Sequence, residues 1–385
     1  MRRTVYLDNA ASTMLDPEVL EAMRPYLSEW YGAPTHEYGH TFGLKAKEAL
    51  EKAREDIARR IGADPEEVVF TSGGTESNNM AIKGAALASR DRQQLITSRI
   101  EHMSVLNVVK SVERMGFKTS YLDVDREGFV NLEQLKNQVD KNTLLVSVQN
   151  ANQEIGTIQD VKSIGEICKE KGALFHVDAV QGFTKVPINV REMNIDLLSV
   201  SAHKIHGPKG VGALYVREGV KLKPLIEGDY HEQGLRAGTE NIPGVVGFAR
   251  AVELVNDGRL NHMRRLRDYL TKGLLEIPYS RLNGPADGEK RLCNITNVTF
   301  KFVEGESVLL HLDMRGIIVT TGSACFSKTL EPSHVILALG LSHEDAHGSV
   351  RFSLSKYNTE EEMDYTIQNI REVVEQLRTI SPVRR

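Results

Sequence analysis

Short apolar runs alternate with helical patterns through the first two thirds of the chain. The runs at 68–71, 95–97, 144–148, 174–177, 197–201 and 212–216 are bounded by Gly, Pro or polar residues and predict strands. Between them, 43–61, 78–88 and 162–171 carry apolar residues at helical spacing. That alternation predicts an α/β fold, a mainly parallel sheet covered by helices on both faces. Ligands of such sheets bind beyond the carboxyl ends of the strands, so the residues just after each run are the first candidates for chemistry.

The texture changes near residue 256. A long polar helix over 260–276 leads to a strand at 297–302 and a helix at 307–314. The chain closes on a helix in which Met363, Ile367, Ile370, Val374 and Leu377 recur at helical spacing, with Thr359 and Glu362 placed as a capping box. The expected division is a large domain over 14–255 and a smaller α+β domain made of 1–13 and 256–385.

With 385 residues, the chain exceeds what one core usually organises. A formal net charge of -4 offers no basic field for nucleic acid or an anionic membrane. No stretch approaches the roughly 20 apolar residues of a membrane span, and MRRTVYLDNAAS lacks a signal-peptide core, so the cytosol is the expected location. The three cysteines form no CxxC pair, which argues against a disulfide framework or a metal site. Cys168 lies at helical spacing with Ile164 and reads as core, and Cys293 precedes a strand and reads as structural. Cys325 differs, because it sits in TTGSACFSKT, a polar, glycine-containing stretch expected to be a loop over about 320–334.

Four strand ends carry polar residues that one ligand explains. In VVFTSGGTESNNM, Gly73 and Gly74 permit close backbone approach, and the first helical turn with Thr75 suits a phosphate. In FHVDAVQG, Asp178 emerges from an apolar strand, where a carboxylate needs either a salt bridge or a cationic ligand nitrogen. In SVSAHKIHGPKG, Ser201 and His203 suit phosphate oxygens, and Lys204 could form a Schiff base if its ammonium were weakened. His102, in IEHMSV, could stack on a planar ring or move protons. A lysine and an aspartate, each at a strand end, are the pair with which proteins use pyridoxal phosphate (PLP) as an electron sink.

Together these segments resemble the class V aminotransferase family and, within it, the group I cysteine desulfurases of the NifS/IscS type. The likeness runs through YLDNAAST, FTSGGTESNN, ANQEIGTIQ, FHVDAVQ, SAHKIHGPKGVGALY, GLRAGTEN, TGSACFS and GSVRFSL in the family's order. It implies a PLP-dependent transferase of fold type I, with a seven-stranded large-domain sheet. It further implies that Lys204 holds the cofactor and shuttles protons, that Asp178 keeps the pyridine nitrogen protonated, and that His102 stacks on the ring. Asn152 and Gln181 would contact the phenolic oxygen side, with Asn152 also near the substrate carboxylate. Gly74, Thr75, Ser201 and His203 would bind the phosphate, joined by Thr239 from a second subunit, which implies a homodimer. Arg351 would clamp the carboxylate of L-cysteine, and Cys325 would take the sulfur as a persulfide, releasing alanine. An IscU-like iron–sulfur scaffold protein is the implied acceptor.

The pattern departs from the family at three places. Ala33 stands where Asn is usual, GDYHE at 228–232 replaces GGGQE, and Gln153 and Gly74 replace the commoner Asn and Ala. Two alternatives accompany the main reading. One is another class V activity, selenocysteine lysis or a transamination that leaves Cys325 idle. The other is a non-catalytic platform that docks a scaffold protein and lends Cys325 as a transient cluster ligand.

Overall fold

The computed structural model describes residues 4–322 and 332–380. In chain order the strands are β1 (Val5–Tyr6), β2 (Val68–Thr71), β3 (Gln94–Ser98), β4 (Lys118–Leu122), β5 (Thr143–Gln149), β6 (Leu174–Asp178), β7 (Leu197–Ser201), β8 (Gly212–Val216), β9 (Ser280–Asn283), β10 (Ile295–Phe300), β11 (Ile317–Ile318) and β12 (Ser349–Ser353). The helices are α1 (Pro17–Ser28), α2 (Thr41–Ile61), α3 (Gly74–Ala88), α4 (Met103–Glu113), α5 (Leu132–Gln138), α6 (Val161–Lys171), α7 (Ile242–Glu253), α8 (Asp257–Leu275), α9 (Gly305–Asp313), α10 (His334–Ala338), α11 (His343–His347) and α12 (Glu360–Ile380).

Seven strands form one sheet in the order β2-β8-β7-β6-β5-β3-β4. All neighbours are parallel except β8, which runs antiparallel to both β2 and β7. Every residue of β5, β7 and β8 is buried, as expected for strands covered on both faces. The edge strand β4 has no apolar run and only Leu122 fully buried, which is why hydrophobic patterning passes it over. Between β3 and β5 the chain reverses direction across the sheet, and the crevice at such a reversal is where α/β sheets hold ligands.

A second assembly packs β12, β10 and β9 as an antiparallel sheet against α8, α9 and α12. Its core includes Phe300, Phe352, Leu270 and Val374, and it takes in Val5 and Leu7 from the N-terminal end. The capping box is present at the start of α12. The Thr359 hydroxyl accepts the Glu362 N–H at 3.3 Å, and the Glu362 carboxylate accepts the Thr359 N–H at 3.2 Å. Cys168 and Cys293 are both buried, as their flanking patterns predict.

Candidate active site

Strand β6 runs from Leu174 to its last residue, Asp178, which is 5% exposed. Its Oδ1 accepts the Val180 N–H at 3.0 Å, and its Oδ2 accepts Asn78 Nδ2 at 2.8 Å. Both donors are neutral, and no ion pair reaches Asp178 among the described residues. A buried carboxylate held this way keeps its full attraction for a cation arriving from the cavity.

Lys204 ends the short turn Ala202–Lys204 that follows β7. Its ammonium donates to the carbonyls of Ala10 and Ala11 in the N-terminal segment, the latter at 2.8 Å. Burial, then the positive charges of Arg351 and Lys185, push its pKa down to about 7. Near neutral pH a free amine is therefore within reach, which is what a nucleophilic and proton-carrying lysine needs.

Asp178 and Lys204 line one cavity of about 270 Å³ together with His102, Gln153 and Gln181. A second cavity of about 330 Å³ lies beside it, lined by Ser12, Ser201, His203 and Lys209. Gly74, Thr75 and His203 belong to both. Helix α3 points its first turn at this second space. Gly73 has φ +145°, and a Cβ on Gly74 would lie 2.4 Å from Val180 Cγ2, so glycine is what lets the helix start close to the β6 end. The Ser201 hydroxyl and Gln181 Oε1 are buried without a hydrogen-bond partner among the described residues. His203 Nδ1 lies 3.2 Å from the Ser12 hydroxyl, and burial with the neighbouring Lys204 drives its imidazolium down to about 4.

His102 caps α4, its Nδ1 accepting the Ser104 N–H at 3.1 Å, so the neutral ring carries its proton on Nε2. The ring has surface on the open cavity, yet lies deep enough that burial lowers its pKa. Just before it, Glu101 is fully buried, accepts the Ser98 hydroxyl and the Gln149 N–H, and is pushed up to about 8 by burial. Arg351 reaches the site from β12. It donates to Asp8 Oδ1 at 2.6 Å and to the Gln153 carbonyl at 2.9 Å, while its buried Nε has no partner among the described residues.

Other expected site residues stand apart. Asn152 is wholly buried, with Nδ2 donating to the Ile100 carbonyl and Oδ1 accepting the N–H groups of Glu154 and Ile155. Its neighbours Ala151 and Gln153 line the cavity in its place. Thr239 is exposed and lines neither cavity of its own chain. Cys325 lies outside the described residues. Sequence reasoning overlooked Asp8, Ser12, Glu101 and Lys185. YLDNAAST signals the first two as a motif without assigning them roles, whereas nothing in the sequence singles out Lys185.

The residues fit pyridoxal phosphate. The orphaned Ser201 hydroxyl, Thr75, His203 and the first turn of α3 suit its phosphate, and Asp178 suits its ring nitrogen. The orphaned Gln181 amide oxygen faces the same need for a partner. Comparison with known proteins agrees with this chemistry. The family model described as aminotransferase class-V matches residues 5–366. The cysteine desulfurase IscS of Dictyoglomus turgidum is 50% identical, the match covering 99% of this chain and 97% of that protein. The IscS of Clostridium botulinum is 48% identical over 100% of this chain and 97% of its own length. Among solved structures, a NifS-like protein superposes with a TM-score of 0.91 at 42% identity, covering 98% of this chain and all of that one. SspA in complex with cysteine gives 0.82 at 38% identity, over 92% of this chain and all of the other.

Proposed function

The chain belongs to the class-V aminotransferase family, and from that premise we propose how its site works as that of a pyridoxal-phosphate-dependent cysteine desulfurase. The observation that carries the reading is the placement of Asp178 and of Lys204, its amine pushed down to about 7, on one cavity beside an anion-ready helix start. When bound, the cofactor supplies an electron sink for the substrate's α-carbon.

The chain's own residues do the rest. Asp178 would keep the pyridine nitrogen protonated, since among the described residues no ion pair engages its carboxylate and its two donors are neutral. Lys204 carries protons to and from the substrate α-carbon, and the Nε2–H of His102 faces the same space. Thr75, Ser201 and His203 would hold the phosphate, with His203 Nδ1 meeting the Ser12 hydroxyl. Arg351 binds the substrate carboxylate once it exchanges Asp8 for it, a bidentate task that a guanidinium fork performs well. Cys325 receives the sulfur and keeps it as a persulfide, which passes to an acceptor such as an iron–sulfur scaffold protein.

Two further readings follow from the same support. The exposed Thr239 suits a role in the phosphate site of a second subunit, which makes the working form a homodimer. The two cores that flank the seven-stranded sheet, separate from the core of the antiparallel one, favour a large unit over 14–255 and a smaller one from 1–13 and 256–385. Among the described residues no helix is long and apolar enough to cross a membrane, and we assign the protein to the cytoplasm.

The test is alanine formation from L-cysteine by the PLP-loaded protein with a thiol reductant present to release the persulfide sulfur as sulfide, compared with Cys325→Ser. The reading expects stoichiometric alanine and sulfide from the wild type, and almost none from the variant despite a normal cofactor spectrum. Alanine at the wild-type rate from Cys325→Ser would show a different sulfur acceptor.

A further inference from the structure

A small cavity of about 30 Å³ is lined by Lys204 and also by Lys185, His206 and Lys356. Lys185 keeps some surface on this space, but it lies deep, and burial pushes its ammonium down to about 8. It has no ion pair among the described residues. Its ammonium donates to the Gln181 carbonyl at 2.9 Å. Gln181 Nε2 donates in turn to the Ala10 carbonyl at 2.8 Å, and that carbonyl is also an acceptor for Lys204. The two lysines thus hold opposite ends of Gln181, Lys185 its backbone carbonyl and Lys204 the Ala10 carbonyl that its side-chain amide also reaches.

The backbone supports a required position. Thr184, just before Lys185, has φ +66°, a left-handed conformation that a β-branched residue adopts only under constraint. A buried cation without a carboxylate partner and a strained residue beside it both cost stability, and features of that kind concentrate at functional sites.

We propose that Lys185 is a positioning residue for the reaction. Through Gln181 and the Ala10 carbonyl it fixes where the Lys204 nitrogen sits, and by its charge it favours the neutral form of that nitrogen. Lys204 faces two further kinds of charge. Asp8 and Asp178 favour its protonated form, and Arg351 opposes it as Lys185 does. His102 and His203 also face Lys204 and are held neutral by burial, while Lys185 itself faces Cys293, His203 and His206. Asp8 and Asp178 are therefore balanced by Arg351 and Lys185, of which Arg351 is committed to substrate and Lys185 is not.

The inference rests on the assignment of Lys204 as the cofactor lysine. The experiment is a pH titration of the visible cofactor band in the holoenzyme, comparing wild type with Lys185→Met and Lys185→Gln. Removing a nearby positive charge makes the Lys204 nitrogen easier to protonate, so the midpoint rises by about one unit in both variants. The acidic limb of the kcat profile moves with it, while KM for L-cysteine changes by less than about two-fold. An unmoved midpoint in a variant that keeps its band overturns the inference, and so does a shift in Lys185→Met that Lys185→Gln reverses. Wild-type holoenzyme with ¹³C-labelled lysine provides a reading that needs no substitution. The Lys185 side-chain signal should inflect at the pH where the cofactor band titrates, because coupling between sites is reciprocal. Absence of that inflection also overturns it. A wild type with no cofactor band would instead contradict the assignment of Lys204.

Discussion

Two regions meet at the active site and build it in different ways. The seven-stranded sheet contributes Asp178, Ser201 and Lys204 from the carboxyl ends of parallel strands, where the backbone stops pairing and side chains turn toward the crevice. The antiparallel sheet contributes Arg351 from the middle of β12, paired in register with Asn297 and anchored by its own core. The first region holds groups for one fixed ligand, each backed by buried strands. The second offers a cation already engaged by Asp8, a contact that an arriving carboxylate can replace. On the proposed reading, permanent cofactor binding and exchangeable substrate binding fall to different cores.

The sharpest way to break this comparison is at the sheet. Lys204→Ala should lose the visible cofactor band and lower alanine formation by about 10³-fold or more, read by absorbance and amino-acid analysis. Next is Glu101, buried under the same strand ends. Its carboxyl rises from 4.5 to about 8 on folding, so its contribution is present below 4.5 and is lost as the pH climbs through about 8. Wild type should therefore lose stability between pH 5 and 8 relative to Glu101→Gln, by on the order of 3 kcal/mol at pH 7, measured by denaturation at each pH.

On the other side, Arg351→Lys should raise KM for L-cysteine by about 10- to 100-fold through loss of the bidentate pair. Cofactor retention, measured by dialysis, should not change. The smallest effect concerns α12, far from the chemistry. Thr359→Ala should cost about 1 kcal/mol in thermal or denaturant unfolding and leave turnover untouched.

The same contrast explains what could be read from the sequence. Strands covered on both faces write themselves as apolar runs, so β2, β7 and β8 fall on their patterned segments, and Asp178 and Lys204 stand out as charges at the ends of such runs. β4 stays hidden because it is poorly covered, four of its five residues keeping surface, so it needs no apolar run. Arg351 carries no local signal, since an arginine inside a short strand looks like any solvated charge, and only the family resemblance singles it out. Asn152 shows the opposite limit. The motif marks it, but its side chain is spent on the carbonyl of Ile100 and on a turn. Lys185 is invisible for a third reason, because its environment comes from residues distant in the chain, Ala10 and Cys293 among them.

The most direct test of the central claim is to load the protein with pyridoxal phosphate, reduce it with borohydride and map the labelled peptide by mass spectrometry. The account predicts a single adduct on Lys204. An adduct on Lys185 or Lys209, or none at all, would contradict it.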